Sequence, residues 1–183
     1  MISFVSVEET PLPQGRRKLR QWLERIAQGY GVEDLELSYA FGPSEWMADL
    51  NMRHLGHEGD TDILTFDYGE GYSGEGYSGE GYSGEGISVE RNTGELLTPP
   101  FGPSDPDRGL SPFGRVAIMG ECCICPDRVA KQSAEWGSTP QEEMRRVLVH
   151  GLLHLVGYDD KNSEDQKQMR EAEDRALAIF ASL

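Results

Sequence analysis

The sequence has few lysines and no long apolar run, and both absences limit what the protein can be. Only 4 of its 17 basic residues are lysines, whereas 32 residues are acidic, so the formal net charge is -15. Nucleic-acid-binding proteins usually carry a basic surface, so this composition argues against a general phosphate-binding surface. No apolar segment approaches the ~20 residues that span a bilayer, and the N-terminus lacks the basic start and apolar stretch of a signal peptide. We therefore expect a cytoplasmic protein with no membrane partner.

The three cysteines, Cys122, Cys123 and Cys125, do not suit a disulfide scaffold. Their count is odd, and no second Cys or His group at zinc-site spacing accompanies them. Alternation along a strand places Cys123 and Cys125 on one face and Cys122 on the other. The pattern favours reduced, buried strand cysteines, with a metal or redox role as the alternative.

Glycine and proline are concentrated in one part of the chain. Residues 69–120 contain 13 of the 22 glycines and 5 of the 10 prolines, and they begin with three copies of Gly-Glu-Gly-Tyr-Ser. This repeat has no periodic apolar face, and its glycines make an ordered state entropically costly. We predict a single domain over 1–183, interrupted by a solvated low-complexity insertion at about 69–119. The alternative is that the repeated tyrosines stack on single-stranded bases.

The rest of the chain alternates between the apolar spacing of strands and that of helices. Two segments, Thr139-Pro140-Gln141-Glu142 and Ser163-Glu164-Asp165-Gln166, have the spacing of a helix-starting capping box. The pattern predicts an α+β fold, a small mixed sheet of about four strands packed with about five helices. We expect strands at 2–7, 35–41, 63–66 and 121–125, and helices at 15–28, 44–55, 126–136, 140–156 and 163–180. Helix 140–156 is expected to be central, because it is apolar on more than one side.

A candidate metal site lies at the end of that helix. His150 and His154 are four positions apart, so both imidazoles project from one face and can share an ion. Gly157 allows a sharp turn after the helix and brings Asp160 about where a third ligand is needed. Two nitrogens and one carboxylate leave a tetrahedral position open for water, as catalytic zinc sites require. Two core histidines with satisfied hydrogen bonds are the alternative.

Metzincin proteases share this spacing but require a glutamate directly after the first histidine as general base. That position is Gly151 in this chain. A peptidase without the glutamate lacks its obvious means of activating water.

Residues 150–160, His-Gly-Leu-Leu-His-Leu-Val-Gly-Tyr-Asp-Asp, resemble the H-G-x-L-H-L-x-G-Y-D-H hallmark of the YbeY family of endoribonucleases. Ten positions match, and the last is Asp160 instead of histidine. Residues 61–66 and 120–125 resemble two further family strands. Many members have an arginine five positions after the leucine matched by Leu50, where this chain has Leu55. Arg53 lies two positions earlier, and we interpret it as a surface residue.

The resemblance implies a metal-dependent endoribonuclease specific for single-stranded RNA. It implies roles in maturing the 3′ end of the small-subunit rRNA and in ribosome quality control. The ligands carried over are His150, His154 and Asp160, which would act in catalysis through one divalent ion per chain and its bound water. Zinc is our choice, with manganese or nickel as alternatives. The expected partners are single-stranded RNA, the small ribosomal subunit and its assembly factors, and no DNA is expected.

Positive charge for the RNA backbone must come from local patches in so acidic a chain. The candidates are basic residues on predicted helices 15–28 and 140–156 and a histidine just after predicted helix 44–55: Arg16, Arg17, Lys18, Arg20, Arg145, Arg146 and His57. For the basic residues of helix 15–28, the alternative is an ordinary solvated helix face. For the whole chain, the alternatives are a metallohydrolase of other specificity, protease included, and a ribosome assembly factor with a structural metal.

Overall fold

The computed structural model describes residues 1–56, 59, 61–68 and 116–183. The repeats of the predicted insertion, His57 and the side chain of Leu55 lie outside these described residues. Within the described residues, four strands and five helices form the α+β fold that the sequence predicts: β1 Ile2–Ser6, α1 Arg16–Gly29, β2 Val32–Phe41, α2 Ser44–Leu55, β3 Ile63–Asp67, β4 Val116–Ile124, α3 Pro126–Trp136, α4 Pro140–Leu155 and α5 Ser163–Ala181.

The strands form one mixed sheet in the order β1-β2-β4-β3. β1, β2 and β4 are parallel, and β3 is antiparallel to β4, with Thr65 opposite Cys122. Helix α4 packs against β3 and β4, at the antiparallel side of the sheet. This contact fixes α4, which carries the two histidines, relative to the sheet.

Two apolar clusters hold the helices on the sheet. The larger contains the predicted inward face of α1, with Trp22 and Leu23 fully buried, together with residues of α4 and α5. The smaller contains Met47 of α2. Cys122 belongs to the larger cluster, whereas Cys123 and Cys125 belong to the smaller. All three cysteines are free and buried, and their division between the two clusters confirms the predicted alternation.

Helix α4 begins at the predicted capping box. The Thr139 hydroxyl accepts a hydrogen bond from the Glu142 amide at 3.2 Å, and the Glu142 carboxylate accepts one from the Thr139 amide at 3.0 Å. Pro140 occupies the first turn, where its missing N–H costs nothing. Leu148 and Leu152 are fully buried, so the predicted central position of this helix is confirmed.

The starts of two strands and the N-cap of one helix differ from the prediction. Strand β2 begins at Val32 instead of 35. Strand β4 begins at Val116 instead of 121, so residues 116–119 belong to the sheet and not to the insertion. The high glycine content up to Gly120 hid the alternation of buried Ile118 with its exposed neighbours. Helix α5 has Asn162 as its N-cap instead of Ser163, because the Asn162 side chain accepts from two amides of the first turn, each at 3.0 Å.

Within the described part of the chain, no helix is both long and apolar enough to cross a membrane.

Candidate metal centre

The three predicted ligands come together where α4 ends. His150 and His154 project from its last turns, and Gly157 follows with a φ of 107°, a conformation that favours glycine. The Gly157 amide donates to the His154 carbonyl at 3.0 Å, which closes the turn. The chain then doubles back, so that one ligand atom each from His150, His154 and Asp160 lies within 4.8 Å of the other two.

The distances between these atoms suit a small divalent ion. The two Nε2 atoms of His150 and His154 are 3.0 Å apart, and Asp160 Oδ2 lies 3.8 Å from the first and 3.9 Å from the second. The point in the common plane of the three atoms that is equidistant from them lies about 2.1 Å from each, close to the ~2.0–2.2 Å of zinc–nitrogen and zinc–carboxylate bonds. The donor set and its spacing therefore fit a small divalent ion.

Hydrogen bonds on the far side of each ring direct both Nε2 atoms inward. His150 Nδ1 is 2.9 Å from Glu173 Oε1, and His154 Nδ1 is 3.1 Å from the Tyr158 carbonyl oxygen. A carboxylate and a carbonyl only accept, so each Nδ1 carries the proton and each Nε2 presents a lone pair. Burial, and then the nearby His150, lower the pKa of His154, which favours its neutral form. Three acceptors thus converge, an arrangement that a cation stabilises.

Glu173 is a functional candidate that sequence reasoning missed. It lies on α5 and is 5% exposed. Its Oε2 accepts from Arg146 Nη1 at 2.8 Å and from Arg170 Nη1 at 3.3 Å. Burial by itself raises the pKa of this carboxyl, but the hydrogen bonds from His150 and Arg146 outweigh that effect and lower it. The sequence does contain one indication of its importance: a glutamate next to Ala172, on an otherwise apolar face of the predicted helix.

The structure places the residues predicted to bind RNA in two different regions. Lys18 Nζ and Arg145 Cζ lie 4.5 and 4.7 Å from the Phe180 ring centroid, so α1 and α4 bring two cations to one aromatic side chain of α5. These three residues line a cleft of about 560 Å³, which we call the α1–α4–α5 cleft. Arg146 also lines it, but its guanidinium is bound by Glu173 and by Asp174 at 2.8 Å each.

The other candidate arginines, at the start of α1, are exposed. Arg16 Nη1 donates to the Pro13 carbonyl at 3.3 Å, and Arg20 Nε donates to the Ile2 carbonyl at 2.8 Å. Arg17 is exposed beside them. Their contact with RNA, like that of Arg145 and Arg146, stays a prediction.

The position after the first histidine faces the sheet. A Cβ at Gly151 would lie 2.6 Å from Cys122 Sγ, 2.9 Å from Ile63 Cδ1 and 3.4 Å from Thr65 Oγ1. A side chain there would therefore enter the packed contact of α4 with β3 and β4, and would not reach the ligands. This geometry explains in physical terms why the glutamate of the metzincin pattern has no place here.

Arg53, upstream of the site, lies on the surface as interpreted from the sequence. Its side chain is 68% exposed and pairs with Asp49 one helical turn away at 2.7 Å. Such an exposed pair contributes little to stability.

Comparison with known proteins identifies one family. The model of the family Endoribonuclease YbeY matches residues 5–181. The Endoribonuclease YbeY of Salinispora tropica is 32% identical over 153 residues, covering 83% of this chain and 79% of that protein. The one from Bacteroides thetaiotaomicron is 27% identical over 164 residues, covering 90% and 88%. A Thermotoga maritima protein solved in solution shares the fold, with a TM-score of 0.53 and 20% identity over 98% of this chain and 89% of its own.

Proposed function

The chain belongs to the YbeY family of endoribonucleases, and on that basis we propose that it cleaves single-stranded RNA with the help of a bound metal ion. The proposed substrate is the precursor of small-subunit rRNA near its 3′ end, and the proposed setting is rRNA maturation and ribosome quality control. Its partners are then the small ribosomal subunit and associated assembly factors, in the cytoplasm. The observation that carries the metal part of the proposal is the convergence of both Nε2 atoms and the Asp160 carboxylate on one point.

The chain's own residues prepare this site for a metal and leave it accessible. His150, His154 and Asp160 would hold one divalent ion per chain, and we propose zinc because two imidazoles suit it well. The ion would supply Lewis-acid stabilisation of negative charge on a phosphodiester oxygen. The side chains of His150 and His154 are 22% and 26% exposed, and that of Asp160 is 47% exposed. An RNA strand can therefore approach from the Asp160 side.

We assign the RNA backbone to the α1–α4–α5 cleft. Lys18 and Arg145 are held there over Phe180, and Arg146 connects the wall of the cleft to Glu173 and so to His150. Glu142 and Glu143 also line this cleft, so its attraction for phosphate depends on Lys18 and Arg145, which supply local cations in a chain whose net charge is -15.

This assignment is tested by the salt dependence of binding to single-stranded RNA. Lys18→Gln and Arg145→Gln should each weaken binding and should reduce the slope of log affinity against log salt by about 0.7–1. Lys131→Gln, which removes an exposed lysine from α3, is the matched control and should leave the slope unchanged. Equal slopes in all four proteins would place the RNA elsewhere.

The activity is tested with labelled single-stranded RNA, the same RNA as a duplex, and casein, each with zinc and with a chelator. Wild-type protein should cut only the single strand and only with metal, and His154→Ala should be inactive while still folded by circular dichroism. RNA cleavage that persists in His154→Ala or in chelator would contradict the proposal. Casein cleavage would support a protease instead, and zinc binding without any cleavage would support an assembly factor with a structural metal.

A further inference from the structure

We propose that Glu173 is the positioning residue of the site, whose carboxylate holds the His150 ring with Nδ1 protonated and Nε2 directed at His154 and Asp160. The inference rests on the proposed function in that it treats His150 as a metal ligand. It goes beyond that function because Glu173 lies on α5, outside the motif at 150–160, and does not itself face the ion.

The environment of Glu173 argues for such a task. The same face of α5 buries Met169, Ala172 and Ala176, so an apolar side chain at 173 would pack there without any desolvation cost. A buried carboxylate is costly unless it is fully paired. Glu173 is paired through both oxygens, one to His150 and the other to two arginines.

Two arginines hold the Glu173 carboxylate in the orientation in which it binds His150. Arg146 Nη1 and Arg170 Nη1 both donate to Oε2, which leaves Oε1 as the acceptor 2.9 Å from His150 Nδ1. Arg146 is held in turn by Asp174 at 2.8 Å. The carboxylate therefore cannot rotate without breaking several charge-assisted hydrogen bonds. A carboxylate that orients a metal-binding histidine typically improves metal affinity 10- to 100-fold.

Asp174 provides a matched control for Glu173. It is the next residue on α5 and binds the same arginine through Nη2, but its side chain is 60% exposed. Asp174→Asn therefore removes one carboxylate charge and one contact of Arg146, and it leaves the bond from Glu173 to His150 in place. A purely structural role of the ion-pair network would make the two residues behave alike.

The first test follows the histidine tautomers of the metal-free protein at pH 8 by nuclear magnetic resonance of the ring nitrogens. Wild type and Asp174→Asn should show His150 protonated at Nδ1. Glu173→Ala should show a mixture of both tautomers at His150, whereas His154 should be unchanged because the Tyr158 carbonyl still holds it. An unchanged His150 tautomer in Glu173→Ala would overturn the proposal.

The second test measures zinc affinity by competition with a chromogenic chelator. Glu173→Ala should bind zinc 10- to 100-fold more weakly than wild type, and Asp174→Asn should bind like wild type. Glu173→Gln keeps the shape of the side chain and loses its charge, so it carries the test if the alanine variant does not fold. The zinc affinity of Glu173→Gln should lie between those of wild type and Glu173→Ala. Wild-type zinc affinity in both Glu173→Gln and Glu173→Ala would overturn the proposal.

The two proposals fail in different ways. A wild-type protein that binds zinc but cuts no RNA contradicts the proposed function and leaves both tests of Glu173 valid. A wild-type protein that binds no zinc contradicts the metal site, and the tautomer measurement then decides the role of Glu173 alone.

Discussion

Replacing Gly151 with alanine tests the contact that holds the metal-bearing helix against the sheet. The new Cβ would lie 2.6 Å from Cys122 Sγ and 2.9 Å from Ile63 Cδ1, both well inside normal contact distance. The Ile63 contact is with the end of a flexible side chain, but the Cys122 sulfur is fully buried on a central strand. Relief therefore requires α4 to move away from β4.

The expected free energy change combines two opposing terms. Alanine is a better helix former than glycine by about 1 kcal/mol. Overpacking a core costs about 1–3 kcal/mol, and two contacts below 3.0 Å place Gly151→Ala towards the upper end of that range. We expect the variant to be less stable than wild type by about 1–2 kcal/mol.

Equilibrium unfolding in urea, followed by tryptophan fluorescence to which buried Trp22 contributes, measures this difference. A changed midpoint with an unchanged slope of free energy against urea concentration reports a change in stability. Cys122→Ala in the same chain removes the sulfur, so the double variant should be at least about 0.5–1 kcal/mol more stable than the two single changes predict when added. A Gly151→Ala protein that matches or exceeds wild-type stability would refute the packing argument. So would simple additivity of the two changes.

Three further predictions concern the helix start, the buried thiols and the third ligand. Thr139→Ala removes the N-cap of α4 and should lower the free energy of unfolding by about 1 kcal/mol; an unchanged urea midpoint would contradict it. Burial raises the pKa of the Cys122 thiol to about 12 and also raises that of Cys123, whereas unfolded thiols ionise near pH 8.5. The stability present at pH 8 should therefore fall as the pH rises above about 9, by at most about 1.4 kcal/mol per pH unit for each thiol; stability that stays constant from pH 8 to pH 10 would be inconsistent with buried neutral thiols. Asp160→His adds a third imidazole and should increase the ratio of zinc to manganese affinity in a competition assay, and an unchanged ratio would show that Asp160 is not a ligand.

Local signals predicted most of the fold correctly. Helix starts depend on residues three or four positions apart, so the capping box at Thr139 could be read directly from the sequence. Helix α5 begins at Ser163 as predicted, but its N-cap was placed one residue late. Asn162 and Ser163 both suit an N-cap, and the hydrogen bonds that form decide between them. The start of β4 was missed because composition outweighed the alternation around Ile118.

The site was predictable only where its geometry is local. The spacing of His150 and His154 in one helix, and the turn at Gly157, are properties of a short stretch of chain. The bond from Glu173 to His150 joins residues 23 positions apart and exists only because α5 packs on α4. Likewise, that Gly151 faces Cys122 depends on how α4 crosses the sheet. Contacts of this kind require the tertiary structure.

The central claim is that His150, His154 and Asp160 together hold one catalytic divalent ion. Native mass spectrometry of the intact chain, purified in the presence of zinc, measures this directly, with His54→Ala as the control because it removes a histidine of α2 that packs on Phe66. We predict one zinc per chain in wild type and in His54→Ala, and close to none in His150→Ala and His154→Ala. One zinc per chain in either of the last two variants, or none in wild type, would contradict the account.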